Sequence, residues 1–355
     1  MIAKLVCASS ARLALVIGLA ILAGCGGGSG GPNLPAPSVT VISEARGSTS
    51  GGLDVTITGT GFVANAAGTN GVTFDGVAAS NVTTLDDATI TCTTPTGAEG
   101  TANVAVTNAN GTGTLLAGFL YVVPRLYAAD GRAGVSGNLY LIDVANGNAT
   151  TIGPIGFPIT GLAFSPDGTL YGVTASNAAV QSLVTIDLQT GAGTLVAPLL
   201  DAGPAEEGCT DITFVGTRLL GWGQPTQPLN QRTLEIDPAT GLVTDLGGGV
   251  VTGGGNAFEA DRDGVLRLIT LSGTTRTIRD VDPVTGTATV SGVVTPSSSS
   301  ALNSMAFLDG IPYLVDSAFT GLPPTTLNTI DFATGVLTPI GALPVGVDGI
   351  AGTVR

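Results

Sequence analysis

The chain has no histidine, and its single lysine, Lys4, stands four residues from the N-terminus. These two absences remove much of enzyme chemistry. Without histidine there is no Ser-His-Asp or Cys-His mechanism and no imidazole-ligated metal. Without a lysine in the body of the chain there is no P-loop and no Schiff base. The glycine-rich run GGGVVTGGG, residues 247–255, does not fit GxGxxG. Cysteine is scarce as well. Cys7 and Cys25 lie in the N-terminal segment, which leaves Cys92 and Cys209, far apart in sequence. Two buried free thiols and one disulfide both remain open, because spacing does not establish geometry. The one long apolar run, Leu13 to Leu22, is too short to span a membrane comfortably.

Glycine (54) and proline (20) are plentiful, and threonine and valine recur in short alternating runs. That is the composition of an all-β protein with many tight turns. A hydrophobic content of 43% supports a real core and argues against wholesale disorder. The 355 residues suffice for two domains. Acids outnumber bases 26 to 12. A polyanion of this kind is repelled by nucleic acid and by anionic headgroups, so no nucleic-acid partner is expected.

Lys4 and Arg12 precede the apolar run, as in a secretory signal. The run ends in LAGC, Leu22 to Cys25, which resembles the bacterial lipobox. The resemblance implies cleavage after residue 24 and lipidation of Cys25, a membrane anchor. Gly26 rather than aspartate follows, which in the Gram-negative pattern implies the outer membrane. A plain signal peptide with a coincidental cysteine is the alternative. Residues 25–36 then form the lipidated cysteine and a Gly/Ser/Pro tether.

Residues 37–123 read as seven short strands, the pattern of an Ig-like sandwich. In GGLDVTITGTGF, Gly51 to Phe62, Leu53, Val55 and Ile57 alternate with Asp54, Thr56 and Thr58. VTFDG, I-x-C-x-x-P, G-x-x-x-V-x-VTN-x-x-G and F-x-YV follow in order, from Val72 to Val122. Together these motifs resemble the IPT/TIG family of Ig-like domains. The family implies no catalysis. Some relatives bind DNA through basic loops, but this segment carries only Arg46. A spacer role is expected.

Residues 125–355 repeat one phrase five times: IDVANGNAT, IDLQTGAGT, IDPATGLVT, VDPVTGTAT and IDFATGVLT. The aspartates are Asp143, Asp187, Asp237, Asp282 and Asp331, spaced 44, 50, 45 and 49 residues apart. A strand-rich period of that length points to propeller blades. In each copy the aspartate can accept turn N–H bonds, and a glycine supplies the φ > 0 position. Between phrases lies a second hairpin, as in ITGLAFSPDGTLYGV from Ile159. Each unit thus has four strands, A to D. The first unit lacks strand A, and the chain ends in VDGIAGTVR, a strand A without a successor. The expectation is a five-bladed β-propeller closed by its last strand, against an open array or another blade count. The repeats loosely resemble secreted bacterial propellers, which implies a fold and no activity.

Turns A–B and C–D are short and share one face; the B–C and D–A connections are long, varied and share the other. Binding is expected on the variable loops. Aligned A strands place Thr160, Thr210, Asn256, Asn303 and Asp348 at equivalent positions, expected at the mouth of a central channel as a ligand ring or a solvated lip. Trp222 and Gln224 enter a B–C loop and could face a sugar, though a lone tryptophan is more often core. Asp201, Glu206 and Glu207 near Asp211 could hold Ca²⁺, or form a solvated acidic loop. No cofactor is expected. Two functions stand. One is a non-catalytic, monomeric, lipid-anchored envelope protein binding a protein or glycan. The other is a carboxylate glycosidase using Asp211, Glu259 and Asp348 on the inner strands.

Overall fold

Alternating Val, Ile and Thr between glycine-rich turns gives strands and little else. The computed structural model describes residues 34–131, 135–174, 180–201, 207–225, 231–248, 251, 254–317, 325–343 and 346–353. The lipidation candidate Cys25 lies outside them.

Nine strands form the N-terminal sandwich: β1 (Ser38–Ile42), β2 (Arg46–Ser48), β3 (Asp54–Thr60), β4 (Gly71–Phe74), β5 (Val77–Ala78), β6 (Ser80–Thr84), β7 (Thr89–Thr93), β8 (Gly100–Asn108) and β9 (Gly111–Val122). One sheet runs β1-β3-β7-β6, the other β2-β9-β8-β4-β5. The two strands beyond the expected seven are too short to show a period: β2 has three residues and β5 has two. Leu53, Val55 and Ile57 are buried, while Asp54 and Thr58 are exposed. Phe119 packs edge-on against Phe74 and Tyr121, at centroid distances of 5.2 and 4.9 Å. Such pairs add to the area they bury. Cys92 is a free thiol in this core, pushed up to about 11 by burial and by Asp54.

The rest of the described chain forms five antiparallel sheets. The first contains β10 (Leu126–Ala129), β11 (Asn138–Ile142) and β12 (Ala149–Pro154). The second is β13 (Ile159–Phe164), β14 (Leu170–Thr174), β15 (Ser182–Ile186) and β16 (Gly193–Pro198). The third is β18 (Glu207–Val215), β19 (Arg218–Pro225), β20 (Arg232–Ile236) and β21 (Leu242–Asp245), with the two-residue β17 (Leu200–Asp201) parallel to β21. The fourth is β22 (Gly254–Ala260), β23 (Leu266–Ser272), β24 (Thr275–Val281) and β25 (Ala288–Val293). The fifth is β26 (Ala301–Leu308), β27 (Ile311–Ser317), β28 (Thr325–Asp331) and β29 (Val336–Leu343). The last strand, β30 (Gly349–Gly352), pairs with β10 and completes the first sheet. Inner strands β30, β13, β18, β22 and β26 neighbour one another in a cycle.

The repeated phrase has a local and a long-range purpose. Locally, each aspartate caps its turn. Asp187 Oδ1 accepts from the Gln189 and Thr190 amides at 3.0 and 2.8 Å. Asp237, Asp282 and Asp331 also accept the threonine hydroxyl three residues on, at 2.7, 3.0 and 2.8 Å. In the first copy the Asn146 amide does the same for Asp143, at 2.7 Å. Gly147, Gly191, Gly241, Gly286 and Gly335 all have positive φ.

At long range, each turn lies against the outer strand of the preceding sheet. A Cβ on Gly153 of β12 would stand 2.1 Å from the Thr190 carbonyl oxygen, and one on Gly241 would stand 2.5 Å from that of Pro198. Gly248 meets Gly286, Gly335 meets Val293, and Gly341 of the fifth sheet meets Asn146 of the first at 2.1 Å. Five such clasps run from each sheet to the next and return to the start. Gly153→Ala should therefore force backbone apart and cost about 1–3 kcal/mol, the usual range for overpacking. Urea denaturation measures it, and an unchanged midpoint would contradict the clasp.

Candidate functional site

An inner strand pairs with its own sheet on one side only. Its other edge turns to the axis, where its N–H groups need acceptors. Side chains from neighbouring inner strands supply them. Asp211 Oδ2 accepts from the Phe258 amide at 3.2 Å, and Thr213 Oγ1 from the Ala260 amide at 3.2 Å. Ser304 Oγ accepts from the Ile350 amide at 3.1 Å. Elsewhere the backbones approach closely. A Cβ on Gly161 would stand 2.7 Å from Asp211 Cα, and one on Gly349 would stand 3.2 Å from Gly161. The axis at this level is packed, not an open channel.

Two acids occupy that packing. Asp211 is 0% exposed, and Glu259, also buried, accepts the Thr213 hydroxyl at 2.6 Å. Burial pushes the Asp211 carboxyl well above its ordinary range, and the Glu259 charge pushes the same way. The amides of Phe258 and Ile212 and the Ser304 hydroxyl, 3.4 Å from Oδ1, act in the opposite direction. Buried Cys209 donates its thiol to the Asp211 carbonyl at 3.1 Å.

The aligned polar residues fall at β-bulges. Register shifts separate Ile159 from Gly161, Cys209 from Asp211, Gly254 from Ala257 and Leu302 from Ser304. Thr160, Thr210 and Asn303 are thus the extra residues of three inner strands, and in the fourth Asn256 shares the bulge with Gly255. The threonine hydroxyls turn back to the paired strand: Thr160 Oγ1 to the Val173 carbonyl at 3.5 Å, Thr210 Oγ1 to that of Trp222 at 3.1 Å. Asp348 precedes β30 and lines a cavity of about 120 Å³ with Asp130, Ser136 and Gly346.

Two expectations need correction. Trp222 does not face a loop or a ligand. It is 0% exposed and packs on Phe258 between the third and fourth sheets, 6.0 Å between ring centroids. Asp211 is not at a channel mouth but enclosed on the axis, because the bulge at Thr210 turns the next residue inward. The side chains of Asp201, Glu207, Gln224 and Asn256, and all of Glu206, lie outside the described residues. Among the described residues no three acids or cysteines are placed to share a metal ion.

The largest cavity described, about 410 Å³, lies between the sandwich and the A–B turns. Sequence reasoning did not point to it, since it forms only when the two domains dock. Contacts across that docking include Arg46 to the Pro166 carbonyl at 3.4 Å, Ser48 to Asp309 at 3.1 Å, Arg125 to Glu99 at 3.7 Å and the Thr353 hydroxyl to the Val123 carbonyl at 3.2 Å.

Residues 37–121 match the IPT/TIG domain family. No curated protein matches the chain. Among solved structures, the chain is similar to a structural genomics protein of unknown function from Bacteroides thetaiotaomicron, at 16% identity, 87% coverage of each chain and a TM-score of 0.40. It is also similar to an auxiliary nutrient binding protein of the same organism, at 15% identity, covering 87% of this chain and 70% of that one, TM-score 0.34. A third is TolB from Acinetobacter baumannii, at 16% identity, 72% and 63% coverage, TM-score 0.39.

Proposed function

We propose that this chain is a non-catalytic, lipid-anchored envelope protein whose five-bladed propeller presents its loop-bearing face to a protein or glycan partner. The observation that carries this reading is the polarity of the docked sandwich. Ala36 and Pro37 lie beside Gly61, Gly111 and Gly113 at one pole. β1 then crosses the domain, about 17 Å for its five residues at 3.3 Å per residue. Ser43 to Arg46 reach the cavity under the A–B turns at the other pole. A tether ending in lipidated Cys25 therefore enters at the pole away from the propeller. The described strand ends that lead into the B–C and D–A connections lie opposite the A–B turns, at the end of each sheet away from the sandwich, and that end is the face proposed for a partner.

The glycosidase reading loses support from the axis. Of its three acids, Asp211 and Glu259 are enclosed and line neither cavity described above, while Asp348 lines the smaller one, of about 120 Å³, beside Asp130. A retaining or inverting pair must flank a bound sugar.

The test uses the full chain in detergent and a thermal-shift panel of bacterial and plant oligosaccharides. A ligand of the folded state raises the melting temperature at saturation. Replacing residues 226–230, between β19 and β20, with Gly-Ser should abolish that shift without lowering the unliganded melting temperature. Hydrolysis of a bound sugar that survives this replacement would overturn the reading. Cys25→Ala should move the protein from the membrane to the soluble fraction.

A further inference from the structure

The 410 Å³ cavity between the domains contains a cation with unused donors. Arg46 on β2 lines it. Its Nε is buried and has no hydrogen-bond partner. Its Nη1 makes one long bond, to the Pro166 carbonyl at 3.4 Å. A guanidinium has five N–H donors. Asp167 attracts it from a distance, but that carboxylate is engaged by the Ser165 hydroxyl and by the Thr169 amide at 3.2 Å. The turn is shaped to the guanidinium: Gly168 has φ +91°, and a Cβ there would stand 2.6 Å from Nη1. Arg46 is therefore half-buried and held in place with its enclosed Nε lacking an acceptor, which is costly for that group.

The same cavity supplies an apolar wall from Leu53, Phe164 and Phe214. Its volume falls in the range of small-molecule sites, which favour domain interfaces. Glu44, Asp261 and a second arginine, Arg262, also line it, a balance of charge that suits a monoanion better than a polyanion. We propose that this interdomain cleft binds a small organic monocarboxylate, with its carboxylate on Arg46 and its apolar body against Leu53, Phe164 and Phe214. Carboxylates meet guanidinium groups through charge-assisted hydrogen bonds, and the Arg46 head, whose Nη1 makes one long bond, is a donor that the cleft offers. The site is separate from the loop face and does not depend on the function proposed for it.

Isothermal titration of the full chain in detergent, with 3-phenylpropionate and its neutral amide 3-phenylpropanamide, tests this. The carboxylate should bind at least about tenfold more tightly than the amide, the worth of a charge-assisted bond. Arg46→Gln should bring the carboxylate down to the amide's affinity, with the unliganded melting temperature lowered at most slightly by loss of the long Pro166 contact. Arg46→Lys should recover part of the difference. Equal affinity for the two probes, or no binding of either in the millimolar range, would overturn the proposal. The comparison of probes on the unaltered chain stands even if a variant fails to fold.

Discussion

Deleting residues 346–355 should abolish native folding of the propeller-like domain. β30 is the inner strand of the first sheet, in register Leu126↔Gly352, Tyr127↔Ala351, Ala128↔Ile350 and Ala129↔Gly349. Without it β10 becomes an exposed edge at the most buried place in the domain. Val347 and Ile350 belong to the cluster shared with the fifth sheet, through Ala306 and Leu308. Ala351 belongs to the cluster shared with the second, through Leu162 and Phe164. One short strand thus bridges both neighbours. A buried aliphatic side chain contributes about 1.5–3 kcal/mol. Two of these, one lost ladder and the bond from the Ile350 amide to Ser304 together exceed about 5 kcal/mol, the lower bound of ordinary domain stability. Size-exclusion chromatography should show aggregation, and urea denaturation should show no cooperative transition beyond that of the sandwich. A permuted chain that places residues 346–353 ahead of Leu126 should recover the transition. A truncated protein that unfolds like the intact one would mean that the ring does not depend on this closure.

The closure was legible from the sequence because it follows from counting hairpins. So were the capped turns, since Asp187, Thr190 and Gly191 act within five residues of one another. The sandwich strands were legible where a period of two persists, as at Leu53, Val55 and Ile57. What the sequence concealed depends on one-residue shifts and on distant partners. A bulge moves each following side chain to the other face, so the residue after Thr210, Asp211, is enclosed on the axis where the sequence pattern put it at a channel mouth. Trp222 follows Gly221 near a long loop, but its direction is set by Phe258, 36 residues on. Arg46 gave no local sign of a site. Its unused donors matter only once the turn at Gly168 and the wall at Phe214 come to meet it.

The second large effect concerns the acid sealed on the axis. Asp211→Ala should destabilise the protein by about 2–6 kcal/mol, since it leaves the Phe258 amide and the Ser304 hydroxyl buried without that acceptor, at about 1–3 kcal/mol each. Asp211→Asn keeps an oxygen for the Phe258 amide and removes the charge, so its effect should depend on pH. In the unfolded chain this carboxyl titrates near its ordinary value of about 3.9. In the folded protein burial and Glu259 hold the proton to higher pH. The native state therefore binds more protons between those two values, and this group's contribution falls as pH rises through that window. Asp187, Asp237, Asp282 and Asp331 act in the opposite sense. Turn amides and threonine hydroxyls hold their carboxyls below the ordinary value, so their contribution is present above about pH 4 and lost on acidification. Denaturation midpoints between pH 4 and 8 separate the two groups, within the interval where buried acids titrate. Relative to the unaltered protein, Asp211→Asn should gain stability as pH rises and lose that advantage at the acidic end. Parallel curves for the two proteins would mean that Asp211 keeps the same protonation state folded and unfolded across this range. Diverging curves would mean that the axis holds a carboxyl at a cost in stability that the neutral amide avoids, because a neighbouring strand edge has to be given an acceptor.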